Sequence, residues 1–490
     1  MLDKYLRTKT FTYIYTAGLL LFSCILVVLN FGEYRWVADV GKLGGSLIMV
    51  QDQLYMGFTV LILITAVMLV ISSRLSDAML PAMLFAVLST VCYNSADKFL
   101  SIKFLWVAPF AVFGVIFHFI KYRKPFRVGR SFWGLCAISV ALICGGIGTI
   151  TAGEYFKGTA LFYTLGLGLG MMLFYLLIKS QFTEDDKAVV ARVLYATGML
   201  AAFCILWMYA YNWDLFIRNK SFLEPQCGNN LSTFLMLALP FPLYYASRRY
   251  VDILAVLFMY VALVFSGSNG GLLMGTVELI ILLVAYTVWA GKGRKAWVSR
   301  GIYISILAVG GIAAVMLLPK LLEKMGVTDL RNTGVSEILH AVWDKLITSN
   351  NARMDLLKRM LSDFKHNPIF GVGIGYTGNS DIYSPVKGAM NWYHMWFAQV
   401  IGGLGIVGIL AYGYQLVDRV RIFFANRSSI HMTCFLSYVG LFLMSQVNPG
   451  EFCPVPYAML AVTYFVMMEK PEDDRLLFRH DKIGRAAVHH

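Results

Sequence analysis

Apolar residues along this chain fall into runs of about twenty, the length an α-helix needs to cross a bilayer. Short polar connections separate them, and one long polar interval runs from Lys320 to His394. The pattern predicts fourteen spans, at residues 11–31, 54–73, 79–94, 104–120, 131–150, 159–178, 188–211, 230–246, 250–267, 270–290, 301–318, 392–416, 429–447 and 454–469. The third, eighth and last are short, so a count of about twelve also fits. The chain divides into N-terminal spans over 1–229, a second set over 230–318, a loop over 319–391, C-terminal spans over 392–469 and a tail over 470–490. The first run has the length of a full span and no small-residue cleavage pattern behind it, so it is expected to stay as an anchor. The halves show no sequence repeat, which argues against inverted-repeat transporter folds.

Composition sharpens the class to an all-α, polytopic integral membrane bundle. Hydrophobic residues make up 58% of the 490 and charged ones 14%, and the mean hydropathy is +0.65, beyond what a soluble protein with a charged surface shows. The formal charge of +14 comes from residues in short connections rather than on one continuous face. It therefore reads as a topology signal, and nucleic acid is not an expected partner. Lys4, Arg7 and Lys9 precede the first span, Lys121, Arg123, Lys124, Arg127 and Arg130 follow the fourth, and Lys292, Arg294, Lys295 and Arg300 follow the tenth. Arg248, Arg249, Arg419, Arg421, Arg427 and the tail from Lys470 to Arg485 complete the set. With fourteen spans every cluster falls on one side, read as the cytoplasm together with both termini, and the 319–391 loop is outside. Cys24, Cys92, Cys136, Cys144, Cys204 and Cys434 lie within spans as small buried hydrophobes. Cys227 and Cys453 fall in predicted outer loops, where a disulfide and two separate thiols are both open readings.

Long loops between membrane helices carry function more often than short ones. This loop contains two amphipathic patterns, Val335, Ile338, Leu339, Val342 and Leu346, then Met354, Leu357, Leu361 and Phe364 after the cap candidates Asn350 and Asn351. Arg353 sits in the first turn of the second, where a cation opposes the helix dipole by roughly a few tenths of a kcal/mol. An arginine fork at a helix N-terminus suits a diphosphate, beside the plainer reading of a solvated side chain. His394, among Trp392, Tyr393 and Trp396 at the head of span twelve, fits either an interfacial aromatic belt or a general base. Glu278, mid-span in the tenth helix, is costly unless protonated or paired. There is no Walker loop, His-Glu-x-x-His or Cys-x-x-Cys motif. Gly371-x-Gly373-x-Gly375 lacks the setting of a dinucleotide fingerprint and reads as a flexible turn after Pro368. Energy must then come from a gradient or from the substrate, and an activated lipid diphosphate meets the second need.

Asn351-Ala352-Arg353, then Asn367-Pro368-Ile369-Phe370-Gly371-Val372-Gly373, then His394 with Gln399, Gly405 and Gly408, together resemble the O-antigen ligase and polymerase superfamily. Weaker matches are Gly228-Asn229-Asn230 leading to Pro240, and Ser266-Gly267-Ser268-Asn269-Gly270-Gly271. The resemblance covers about the last 270 residues and leaves the first seven spans unassigned. It implies a multi-span glycosyltransferase of the bacterial cytoplasmic membrane, without cofactor, nucleotide or metal. Its expected partners are an undecaprenyl diphosphate-linked glycan donor, an acceptor lipid or glycan, and the bilayer. Arg353 is expected to hold the diphosphate, and His394 to orient or deprotonate the acceptor hydroxyl. Many members have a second arginine where this chain has Asn269, so Arg218, Lys220 or Arg331 would supply the missing charge at the substrate. Met395 and Gly403 also replace an asparagine and an acidic residue common in the family. A lipid-linked oligosaccharide flippase is the alternative of another class, and a structural membrane protein a third. A flippase calls for basic residues inside the spans, where this chain has few.

Overall fold

The computed structural model describes residues 2–30, 34–37, 46–49, 54–91, 108–150, 158–211, 225–246, 252–289, 354–375, 392–426, 428–448, 450–452, 455–470 and 474–476. The predicted span at 301–318, the pattern from Val335 to Leu346, and Arg218, Lys220, Arg331, Arg353 and Cys453 lie outside these residues. The other thirteen predicted spans coincide with helices. A short α1 (Leu2–Leu6) leads into α2 (Lys9–Asn30), α3 (Leu54–Ile71), α4 (Ser76–Val91), α5 (Ala108–Lys121), α6 (Phe132–Ile150), α7 (Gly158–Gln181) and α8 (Glu184–Tyr211). Then come α9 (Pro225–Ala238), α10 (Pro240–Ala246), α11 (Asp252–Phe265) and α12 (Asn269–Trp289). The loop contributes α13 (354–366), followed by α14 (Trp396–Ala425), α15 (Ser429–Ser445) and α16 (Val455–Met468). The eighth predicted span divides into α9 and α10 because Pro240 has no amide to continue the ladder and opens a new helix instead.

Five helices among the described residues are long and apolar enough to cross a membrane, and seven shorter apolar helices of 10–17 residues accompany them. The chain is an all-α, polytopic membrane protein. Among the described residues its strands form two antiparallel pairs, β1 (Tyr34–Val37) with β2 (Ser46–Met49), and β3 (Arg127–Val128) with β4 (Arg475–Leu476). At the centre stands α8, with Val190, Ala191, Leu194, Leu200, Ala201 and Ile205 fully enclosed by α2, α4, α9 and α11. A helix apolar on every side belongs in the interior. By contrast α5 turns Phe110, Phe113, Ile116, Phe117 and Ile120 outward, a face suited to lipid.

Among the described residues, basic connections lie at one end of the bundle, where polar pairs lock the helices together. Arg74 donates through Nη2 to Asp77 Oδ1 at 2.7 Å and to the Leu6 carbonyl at 3.2 Å. Asp186 accepts from the Thr183 amide at 2.8 Å, a cap for α8, and also from the Ser76 hydroxyl. Lys179 lies 3.1 Å from Glu469 and 2.5 Å from Asp474. Arg419, fully buried, donates to Ser131 Oγ at 3.1 Å and stacks 3.5 Å above the Phe465 ring. These contacts bring the described residues nearest both termini to the same end, and His394 lies at the other.

Candidate functional site

Gly405 breaks α14 in two. Its φ of 61° and ψ of −154° belong to a region open essentially to glycine alone. The break removes helical partners from two carbonyls and two amides, which would be costly away from water. The bend after α13 supplies all four. Val372 N donates to Gly402 O at 3.1 Å, Gly373 N to Gly403 O at 2.8 Å, Ile406 N to Pro368 O at 2.9 Å, and Val407 N to Ile369 O at 3.2 Å. Such pairing needs close backbones: a Cβ on Gly371 would lie 2.3 Å from the Gly403 carbonyl carbon, and one on Gly405 2.6 Å from the Ile369 oxygen. Asn367 Nδ2 reaches Gly148 O of α6 at 3.4 Å, and Ile374 N donates to Thr164 Oγ1 of α7 at 3.1 Å.

Two sequence expectations change here. The bend is a buried junction of three elements rather than a flexible turn, with residues 371–375 all enclosed. Span twelve is two helical pieces, 396–404 and 406–425, rather than one continuous crossing. The same junction accounts for Gly403 in place of an acid, since a Cβ there would already lie 3.1 Å from Gly373 O.

The first piece of α14 begins just after His394, whose φ of 52° makes it the one non-glycine residue in the left-handed region among those described. Such a backbone costs about 1–3 kcal/mol and persists only where its surroundings hold it. Both flanks are held. Tyr393 is fully buried, its hydroxyl donates to the Asp363 carboxylate, and its amide donates to Gln399 Oε1 at 3.3 Å. Trp396 Nε1 donates to the Glu451 carboxylate, and its ring meets Tyr412 and Phe442 edge-on. His394 itself is half-buried. Tyr393 and Trp396 thus face protein and acids, whereas an aromatic belt would place them against lipid.

Helix α13 turns a different stripe inward from the one its apolar residues predict. Leu356, Met360 and Asp363 are buried, while Met354 and Leu361 are 53% and 52% exposed. The cause is Tyr393: its hydroxyl holds Asp363 on the inner face, and Leu356 and Met360 pack with Tyr393, Met395 and Ala398. Burial pushes the Asp363 carboxyl up, while Tyr393, Arg359 and His366 pull it down. Met395 therefore fills an apolar contact at the position where the sequence resemblance implies an asparagine.

The two upstream motifs meet at this end. Ser268 Oγ caps α12 by accepting from the Gly271 amide at 2.9 Å and donates to Asn229 Oδ1 at 2.6 Å. Tyr457 of α16 donates to the Asn230 carbonyl at 3.0 Å. Asn269 opens α12 here, with its side chain outside the described residues. Further along α12, Glu278 is buried against Gly440, and neither carboxyl oxygen has a hydrogen-bond partner among the described residues. Cys227 is buried near the start of α9. No cluster of three or more His, Cys, Asp or Glu that could hold a metal occurs among the described residues.

Asp363 and Glu451 are the members that sequence reasoning missed. The first interrupts an apolar stripe and the second sits in a single 3-10 turn, Gly450–Phe452, between α15 and α16, so neither had a periodic signal. Burial drives the Glu451 carboxyl up to about 7, against the opposing pull of the Trp396 N–H and Arg419. The folded value lies above the ordinary one, so its contribution to stability is complete below 4.5 and is lost as pH rises through about 7. Between about pH 6 and 8 the thermal midpoint of the wild type is expected to fall by a few degrees more than that of Glu451→Gln. Parallel pH slopes for the two proteins would remove Glu451 as the titrating group.

Residues 254–413 match the family model described as O-antigen ligase. The matched stretch contains most of α11, then α12, the described part of α13, the bend, His394 and the Gly405 break, and is narrower than the resemblance read from the motifs, since Gly228-Asn229-Asn230 falls outside it. No curated protein and no solved structure matches the chain.

Proposed function

We propose, for a chain whose residues 254–413 match the family model described as O-antigen ligase, a membrane-embedded glycan transferase of envelope polysaccharide synthesis. Its donor is an undecaprenyl diphosphate-linked glycan and its acceptor a hydroxyl on a lipid or a second glycan. The basic end is cytoplasmic by the positive-inside rule, which puts His394 at the outer face. The observation that carries this reading is His394 itself, held in a strained backbone at the mouth of a broken helix by buried neighbours on both sides. Strain maintained in this way is a mark of functional positions.

In the reaction His394 accepts the proton of the acceptor hydroxyl, whose oxygen attacks the anomeric carbon of the donor sugar. The bond from that carbon to the diphosphate oxygen breaks, and undecaprenyl diphosphate leaves with the electron pair. Arg353, one residue before the first described residue of α13 in the sequence, offers a bidentate cation to stabilise the leaving charge. Arg331, Arg218 and Lys220 supply the remaining positive charge around the substrate. No residue role calls for metal or nucleotide.

The test is turnover by the purified protein with a synthetic undecaprenyl diphosphate glycan and an acceptor, with chelator present and nucleotide omitted. New glycosidic linkage supports the reading. Transbilayer movement of intact donor without a new linkage would identify a flippase instead.

The Tyr393–Asp363 contact is expected to position His394. In Tyr393→Phe the Asp363 carboxylate stays buried and loses its donor, a cost of about 1–3 kcal/mol, and transfer should drop by about 10- to 100-fold through misplacement of the imidazole. Thermal unfolding and initial rates check the two effects. Unchanged rates in a destabilised variant would leave the contact as a structural tie alone.

A further inference from the structure

At the basic end, far from His394, a cleft of about 390 Å³ opens between the end of α5 and the end of α7. Its walls are Phe119, Phe126 and Leu177, and its polar lining comes from Arg123, Lys124 and Gln181. The helices that flank it pack on different neighbours, α5 on α3 and α7 on α6 and α16. Both turn apolar side chains outward beside the cleft, Phe117 and Ile120 from α5 and Leu169 and Leu173 from α7. The cleft therefore continues a lipid-facing surface to the level where the polar connections begin.

Its head is cationic. Lys124 Nζ is fixed by donation to the Gln181 carbonyl at 2.9 Å, Arg123 is exposed, and Arg7 and Arg127 add to the positive potential at Lys124. Asp186 is the largest charge acting on Lys124 and offsets part of this, with its oxygens turned to Ser76 and Thr183. The Gln181 side chain is 99% buried on the cleft wall, and its Oε1 has no hydrogen-bond donor among the described residues. A buried acceptor without a donor is costly and is met by a ligand that brings one.

We propose that this cleft binds an anionic glycerophospholipid, its phosphate between Arg123 and Lys124, a headgroup hydroxyl donating to Gln181 Oε1, and an acyl chain along Phe126 and Leu177. Basic pockets between helices at a membrane surface suit such headgroups, and two cations with one acceptor separate a hydroxylated anionic headgroup from a zwitterionic one. The site is independent of the transfer chemistry and concerns the lipid that surrounds the bundle.

The full-length protein, delipidated in detergent, is titrated with phosphatidylglycerol, phosphatidylmethanol or phosphatidylcholine, and bound lipid is counted by native mass spectrometry. Wild type is expected to hold one phosphatidylglycerol more tightly than either of the others. Arg123→Gln should weaken it about 5-fold, and Arg123→Gln with Lys124→Gln roughly 25-fold. Gln181→Leu should keep the charge dependence and lose the preference for phosphatidylglycerol over phosphatidylmethanol, which carries the same charge without the hydroxyls. The single Arg123 variant keeps the test valid if the double one unfolds, because it leaves the Lys124 tie to the Gln181 carbonyl of α7 in place. Equal affinity of wild type and Arg123→Gln for phosphatidylglycerol would overturn the site, as would equal affinity of wild type for phosphatidylcholine. Glycerol phosphate binding as tightly as the whole lipid would overturn the part played by the apolar walls.

Discussion

On the proposed function, His394→Ala and Arg353→Lys are each expected to lose most glycan transfer while leaving the protein folded, with lipid-linked donor accumulating in their place. For Arg353→Lys the expected loss is about 100- to 1000-fold, the range for removing one donor aimed at developing charge. A lysine keeps the charge but lacks the planar fork that meets two diphosphate oxygens at once. His394→Gln should be as inactive as His394→Ala if the imidazole accepts a proton, because glutamine is polar and of similar reach but cannot do so. Rates are measured with purified protein and synthetic donor, and folding by thermal unfolding. Transfer at the wild-type rate by His394→Gln or His394→Trp would return His394 to an anchoring role, and full activity in Arg353→Lys would leave the arginine as a surface residue.

Gly405→Ala is the second variant with a large expected effect, and its defect is in folding rather than chemistry. The new Cβ meets the Ile369 and Pro368 oxygens at 2.6 Å, both of them backbone atoms held by the pairing itself. Strain at a glycine-only conformation and the overpacked contact together cost about 2–6 kcal/mol, enough to unfold a marginal protein. Gly371→Ala, 2.3 Å from the Gly403 carbonyl carbon, should behave alike. The control is Gly413→Ala in the second piece of α14, where nothing lies within 4 Å of the new Cβ and the change should stay within about 1 kcal/mol. Thermal midpoints and yield of folded protein separate these outcomes. A Gly405→Ala protein as stable as Gly413→Ala would mean that α14 runs straight.

The glycine junction and the histidine are parts of one device. A continuous helix from 396 to 425 would carry the Trp396 end beyond the reach of Tyr412, whereas the break lets their rings meet at 5.5 Å. The bend that fills the break follows α13 directly, so the same few residues connect the helix that starts after Arg353 to the helix that starts after His394. Tyr393 and Asp363 close this loop from the other side. The described part of α13 and the first piece of α14 are thereby held against one another.

Span positions were legible in the sequence because entry into a bilayer depends on the apolar content of each segment by itself, and thirteen predicted spans coincide with helices, the eighth as two helices and the twelfth broken at Gly405 and running on to Ala425. The clustering of basic connections at one end was legible for the same reason. The order arginine, Pro-x-x-Gly-x-Gly bend, histidine was also open to reading, and residues 254–413 bear out the family it indicates. Only the tertiary structure decided that Gly405 interrupts α14, that Asp363 turns inward beside Leu356 and Met360, and that Tyr393 and Trp396 face acids rather than lipid. Each of those outcomes depends on a partner from elsewhere in the chain: Pro368 and Ile369 for the break, Tyr393 for Asp363, Glu451 for Trp396. Hydropathy and helical period describe what a segment does alone. A buried hydrogen bond is decided by which two segments meet.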